Sequence, residues 1–303
     1  MGARPDAVIV GLDAGPDSAR ALEWAGAEAV RSGLPLHLMH VLVRELSELA
    51  PTPEMERDLR ETAEALLSDA RDHVKRNFAV AVSAEVVDAP VVSALVDATR
   101  TAALVVLGAR GHGPVHGLLL GSVTRHLSQH AHCPVVVVRG PADPRQKRVL
   151  VGVDGSSSSQ DALGFAMEHA ARGSAPVVAV YGWHERDYGA SSMSTWTRSA
   201  ERIAAEERVL GEILAPWKAK YPGVDLSGEA IPVHPARLLA DGSEHASLVV
   251  VGSRGRGEFT GMLLGSVSQE VLQHARCPVA VVHRRAEVRE SGASASSRGA
   301  VVP

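Results

Sequence analysis

The 303-residue sequence is poor in aromatic side chains: three Phe, three Tyr and four Trp amount to 3% of the chain. So few rings argue against a base-stacking platform for single-stranded nucleic acid and leave the cores to Val, Leu, Ala and Ile. Cysteine is scarcer still. Cys133 and Cys277 stand at matching places in two similar segments, which points to two buried thiols rather than a disulfide framework. No excess of positive charge exists, since 31 Lys and Arg face 35 Asp and Glu for a net charge of -4. That balance provides no basic footprint for nucleic acid. No apolar run approaches the roughly 18 residues that span a membrane, and the apolar stretch in "MGARPDAVIVGLDAG" is too short for a secretory signal. The expectation is a cytoplasmic protein with neither a membrane nor a nucleic-acid partner.

What the sequence does have is repetition. "GARGHGPVHGLLLGSVTRHLSQHAHCPVVVV" (108–138) aligns without a gap to "GSRGRGEFTGMLLGSVSQEVLQHARCPVAVV" (252–282). Upstream, "VIVGLDAGPDSARALEWAGAEAVRSGLPLHLMHV" (8–41) matches "VLVGVDGSSSSQDALGFAMEHAARGSAPVVAVYG" (149–182). A period of about 141–144 residues is too long for a solenoid and indicates duplication of a whole domain. We place the first domain at 1–140, a Pro- and charge-containing linker at 141–147 and the second domain at 148–284. The Ser-, Gly- and Ala-rich tail, 285–303, is expected to be disordered.

Each copy alternates short β-branched runs with amphipathic stretches. In the first, strands are expected near 7–13, 35–42, 78–87, 103–108 and 134–138, with helices near 17–32, 52–76, 90–100 and 121–132. In the second, strands are expected near 148–154, 176–182, 224–232, 247–252 and 278–283. Continuous apolar strands separated by helices imply a parallel sheet covered on both faces. The fold class is α/β: two tandem doubly wound, Rossmann-like domains of five parallel strands each, in the order 3-2-1-4-5. Ligands of such folds sit beyond the carboxyl ends of the strands, at the switch in strand order. Strands one and four are neighbours there, so the loops after Gly11 and Gly108, and after Gly152 and Gly252, should converge.

Those loops have the composition of a phosphate site. Glycine lets backbone N–H groups approach an anion closely. Nine residues after Gly111 or Gly255, Gly121-Ser122 and Gly265-Ser266 open a helix whose first N–H groups, including those of Val123 and Val267, suit phosphate. A lone Gly-Ser pair would be only a turn and a helix cap; recurrence of the full spacing favours the site. No G-x-x-x-x-G-K-[ST] is present, and the first strand turn lacks G-x-G-x-x-G, so neither a P-loop nor a dinucleotide fold is expected. His112 and His116 have a spacing that suits a metal, but Arg256 and Thr260 replace them in the second copy. A surface histidine pair is the preferred reading, with no metal site.

The combination of Gly-x-x-Gly, nine residues and Gly-Ser, the strand "VGVDGS" and the closing "HARCPVAVV" resembles the universal stress protein family, here in tandem. The resemblance covers about 7–139 and 148–283 and implies ATP, with or without Mg²⁺, as the ligand of each half. It places Gly108, Arg110, Gly111, His112 and Gly113 along the first phosphate loop. Gly252, Ser253, Arg254, Gly255, Arg256 and Gly257 line the second. Gly11 and Gly152 would let ligand lie against the first strand. Asp13 and Asp154 would face the adenosine end or a phosphate-bound metal, with a turn or cap role as the alternative. Arg110 and Arg254 stand open between phosphate contact and a structural role. Val41 resembles the family's adenine-contacting position, and Gly182 is its counterpart. The loops offer no repeated Glu, His or Lys as a base, so no catalytic residue is assigned. The expected function is an ATP-binding regulator of stress response or signalling; the alternative is a slow ATPase or phosphotransfer enzyme. Expected partners are the nucleotide, an unidentified regulatory protein, the other domain of the same chain through the apolar last strands, and a second copy as homodimer.

Overall fold

The structure is a computed structural model that describes residues 6–15, 17–42, 52–111, 120–140, 145–183, 195–256 and 263–283, with backbone alone over 195–200. The linker residues 141–144, the tail from 284 onward, His112, Gly113, His116, Gly257 and Thr260 lie outside the described residues.

The first half runs β1 (Val8–Gly11), α1 (Ser18–Ser32), β2 (Leu36–Val41), α2 (Pro53–Asn77), β3 (Val82–Val87), α3 (Val91–Ala98), β4 (Leu104–Gly108), α4 (Ser122–His130) and β5 (Val135–Val138). The second runs β6 (Val149–Gly152), α5 (Ser157–Gly173), β7 (Val177–Gly182), α6 (Thr195–Lys220), β8 (Leu226–Ile231), α7 (Pro235–Gly242), β9 (Leu248–Gly252), α8 (Ser266–His274) and β10 (Val279–Val282). Local chemistry sets the boundaries. Gly33 ends α1 with φ +69°, and Leu34 N–H returns to Ala29 O at 3.1 Å, the left-handed stop that glycine supplies cheaply. Ser156 caps α5 by accepting the Ser159 N–H at 3.2 Å. The third strand starts at Val82 rather than near 78. Phe78 instead closes α2, its N–H reaching Val74 O at 2.9 Å. Its ring lies where a Cβ on Gly26 of α1 would be, 2.7 Å away.

The sheet order is β3-β2-β1-β4-β5-β10-β9-β6-β7-β8. Each half therefore has the 3-2-1-4-5 order of a doubly wound domain, all parallel within the half. The halves join where β5 and β10 pair antiparallel, Val137 with Val279, Val136 with Ala280 and Val135 with Val281. The edge-to-edge pairing of the last strands thus produces one ten-stranded sheet. Its two faces carry separate cores. Val10, Leu38, Val106 and Val151 lie under α1, α2, α5 and α6. Val105, Leu127, Val249 and Leu272 lie under α3, α4, α7 and α8. Each fully buried Val or Leu contributes about 1.5–3 kcal/mol, which is how a chain with few aromatics builds its core.

Candidate functional site

β1 and β4 pair directly, Val8 with Leu104 through Val10 with Val106, so their carboxyl ends open into one cleft. β6 and β9 do the same in the second half. At the end of β1 the chain turns sharply because Asp13 organises it. Its Oδ1 accepts the Gly15 N–H and the Ser18 hydroxyl, both at 2.8 Å, while Ser18 Oγ accepts the Asp13 N–H at 2.9 Å. Asp154 is held likewise. Its Oδ1 accepts the Ser156 N–H at 2.9 Å and the Ser156 hydroxyl at 2.6 Å, and its Oδ2 accepts the Arg256 N–H at 2.9 Å. Burial pushes the Asp154 carboxyl up, but those hydrogen bonds outweigh it and hold the group below its usual value. The turn role of both aspartates is therefore present, and each also faces the glycine loop: a Cβ on Gly111 would lie 2.5 Å from Asp13 Oδ2, and one on Gly255 2.7 Å from Asp154 Oδ2.

The glycine loop is pinned at both ends. Ala109 N–H reaches Val138 O, and Gly121 N–H reaches Ala109 O, both at 2.8 Å. Ser253 to Val282 and Gly265 to Ser253 repeat these bonds at 2.8 Å. Thr124 and Ser268, the third residues of α4 and α8, donate to Gly108 O at 3.0 Å and Gly252 O at 2.5 Å. The helix N-terminus is thereby fixed against the end of β4 or β9. Gly121 and Gly265 are the N-caps and make no side-chain cap bond, so the first-turn N–H groups of Ser122, Val123, Ser266 and Val267 have no side-chain acceptor among the described residues. Ser122 and Ser266 are exposed.

Gly11, Gly152, Val41, Gly182 and Arg256 stand at or beside this cleft. Gly11 and Gly152 end their strands where a Cβ would meet Leu107 at 2.4 Å and Leu239 at 2.9 Å. Packing therefore accounts for glycine there. Val41 is buried at the end of β2. Gly182 ends β7 against the backbone of Val233, 2.7 Å from a Cβ position. The Arg256 guanidinium crosses the second cleft, its Nη1 3.3 Å from the Tyr181 hydroxyl and its Cζ 5.8 Å from that ring's centre. Arg110 folds back onto Asp17, whereas the exposed Arg254 side chain makes no ion pair among the described residues. His130 and His274 bond the carbonyls of His126 and Glu270, one helical turn back.

Sequence reasoning missed several residues that shape the cleft. Ser18/Ser159 and Thr124/Ser268 recur in both copies as hydroxyls, a signal that was there to be used. Asp17 does not recur, because Ser158 occupies its place, and a search for repeated residues passes over it.

Residues 5–139 and 146–283 each match the universal stress protein family. The chain belongs to that family. This tandem universal stress protein is 39% identical over 285 residues to universal stress protein Rv2623 of Mycobacterium tuberculosis, covering 90% of this chain and 95% of the relative. It is 36% identical over 288 residues to Rv2005c of the same organism, covering 91% and 97%. The crystal structure of a universal stress protein from Archaeoglobus fulgidus shares the fold at a TM-score of 0.66 and 23% identity, covering 93% of this chain and 97% of that one. Among the described residues of this universal stress protein, no helix is long and apolar enough to cross a membrane.

Proposed function

We propose that each half binds one adenine nucleotide between the ends of its first and fourth strands, and that the protein acts as a nucleotide-dependent regulator in stress response or signalling. One observation carries this reading. In both halves the loop after the fourth strand is glycine where any Cβ would strike the aspartate turn, and it is tied to a helix N-terminus whose N-cap is itself a glycine. Such a cradle presents backbone donors and helix dipole without bulk, which fits phosphate. The phosphates would lie along Gly108–Gly111 and Ser122–Val123, and along Gly252–Gly255 and Ser266–Val267. The adenosine would extend toward Asp13 and Val41, or toward Asp154 and Gly182. Mg²⁺ bound with ATP would supply charge neutralisation only.

Binding is favoured over turnover. A general base works best with a pKa near the operating pH. Asp154 has its carboxylate spent on the turn and is held below the usual carboxylate range. Asp13 is tied down in the same turn. Hydrolysis is therefore expected to be slow at most. Mass spectrometry of small molecules released from gently purified protein tests the ligand class, with titration calorimetry as its partner. The expected result is adenine nucleotide, up to two per chain. Protein that releases none and takes up neither ATP, ADP nor AMP would overturn the reading.

A further inference from the structure

The two halves meet about a pseudo-twofold axis. The β5–β10 ladder runs 137 with 279, 136 with 280 and 135 with 281, so the axis passes between Val136 and Ala280, which are equivalent positions of the two copies. Near the axis Glu28 and His169, equivalent positions of the two copies with different side chains, face each other. On one face Glu28 of α1 meets His169 of α5, with Glu28 Oε2 3.1 Å from His169 Nδ1. Both are buried. The imidazole stacks between the equivalent residues Trp24 and Phe165, at ring separations of 6.2 and 6.4 Å. On the other face Arg139 donates to Gln273 O at 2.9 Å, Ala275 O at 3.1 Å and Leu272 O, closing the end of α8. Its counterpart His283 reaches Ser128 O in α4 at 3.0 Å.

We infer that this surface is a pairing code: it accepts the unlike domain and rejects a like one, so that one half pairs with the other kind of half and not with its own kind from a second chain. Pairing of two first domains would set Glu28 against Glu28 in a buried site. Two buried carboxylates brought together, each with only its own helix's Arg31 to offset it and no imidazole between them, repel one another. Arg31 is held by Glu28 within the same helix and so accompanies either arrangement without deciding between them. Pairing of two second domains would oppose His169 to His169 with no anion between them and place Ala280 against Ala280 on the axis, losing side-chain volume where Val136 now packs. Only the unlike pair sets anion against imidazole and a larger aliphatic against a smaller one. Polar complementarity of this kind fixes partner choice more than it adds affinity.

The test uses the full chain and reads amide exchange in the β5–β10 ladder, with the β1–β4 ladder as internal reference. His169→Glu recreates the like-with-like contact inside one chain. Glu28→His creates the other like pair, and the double reversal E28H/H169E restores an unlike pair in the opposite sense. Each single variant should lose about tenfold of the ladder's protection relative to the reference, and the reversal should recover most of it, as expected for directly coupled residues. Should H169E fail to fold, the cycle E28Q, H169Q and E28Q/H169Q gives the same coupling without an added charge. Ladder protection unchanged in the single variants, or effects that merely multiply in the double variant, would overturn the code.

Discussion

Asp17 and Arg110 lock the first glycine loop to the start of α1. The Asp17 carboxylate has no exposed surface and accepts the Arg110 N–H at 3.2 Å and its Nε–H at 3.3 Å, while also pairing with Arg20. Gly108 permits this closeness, because a Cβ there would lie 2.8 Å from Asp17 Cβ. In the second half Ser158 takes the same place and its hydroxyl accepts the Arg254 N–H at 3.3 Å. Asp17→Ser should therefore move two quantities in opposite directions. Stability should fall by about 1–3 kcal/mol, because a buried charge-assisted network is lost. ATP affinity at the first site should rise several-fold, because an anion leaves the loop and Arg110 is released. Thermal unfolding and calorimetric titration check the pair of outcomes, and a fall in both would deny Asp17 any electrostatic part in the site.

The glycines at 111 and 255 make a sharper demand. A β-branched side chain at either would be driven into the carboxylate of Asp13 or Asp154, which hydrogen bonds already hold in place. Gly111→Val with Gly255→Val should keep the sheet, since neither residue belongs to a strand, and should weaken ATP binding at least about tenfold, the loss of one or two charge-assisted bonds. Calorimetry with circular dichroism as the fold control distinguishes these outcomes. Unchanged affinity would remove the phosphate from this loop.

Much of this architecture was legible because duplication supplied an internal comparison. The strand order, the convergence of Gly11 with Gly108 and the placement of Gly121-Ser122 at a helix start all follow from apolar runs, glycine and spacing. What stayed hidden has a common physical reason. Asp17 and Ser158 perform one task with different chemistry, so residue identity does not mark them. The β3 boundary moved from 78 to 82 because the Phe78 ring found a glycine on α1, a tertiary contact that β-propensity does not encode. The Glu28–His169 contact depends on which faces the β5–β10 register brings together. In the sequence those two residues are simply ordinary helix positions.

The thiols should be silent in the native state. Cys133 and Cys277 are both buried and form no disulfide, and burial pushes the Cys277 thiol up to about 12. At pH 8 only ~1 in 10⁴ of such a group is thiolate, the form that reacts. Titration with a disulfide reagent should find no fast thiol in the folded protein and two after denaturation. A fast native reaction at Cys277 would contradict its burial.

Glu28 should make the protein sensitive to acid in a defined direction. Burial pushes its carboxyl up, but the contacts with His169 on α5 and then Arg31 on its own helix outweigh this and leave it below the usual carboxylate value of 4.5. A carboxyl whose folded pKa is depressed binds its proton more readily when unfolded, so stability rises with pH through that window. The contribution is complete above about 4.5, the unfolded value, and disappears as pH falls through the lower folded value. Glu28→Gln keeps the shape and removes the charge. At pH 7 it should cost about 2–4 kcal/mol, as breaking one side of a buried pair does, and the two unfolding curves should converge as the pH is lowered below 4.5. Denaturant titrations of wild type and E28Q from pH 7 to pH 3 measure the gap directly. A gap that stays constant across that range would mean that Glu28 contributes volume and hydrogen bonds to the domain boundary, and its charge nothing.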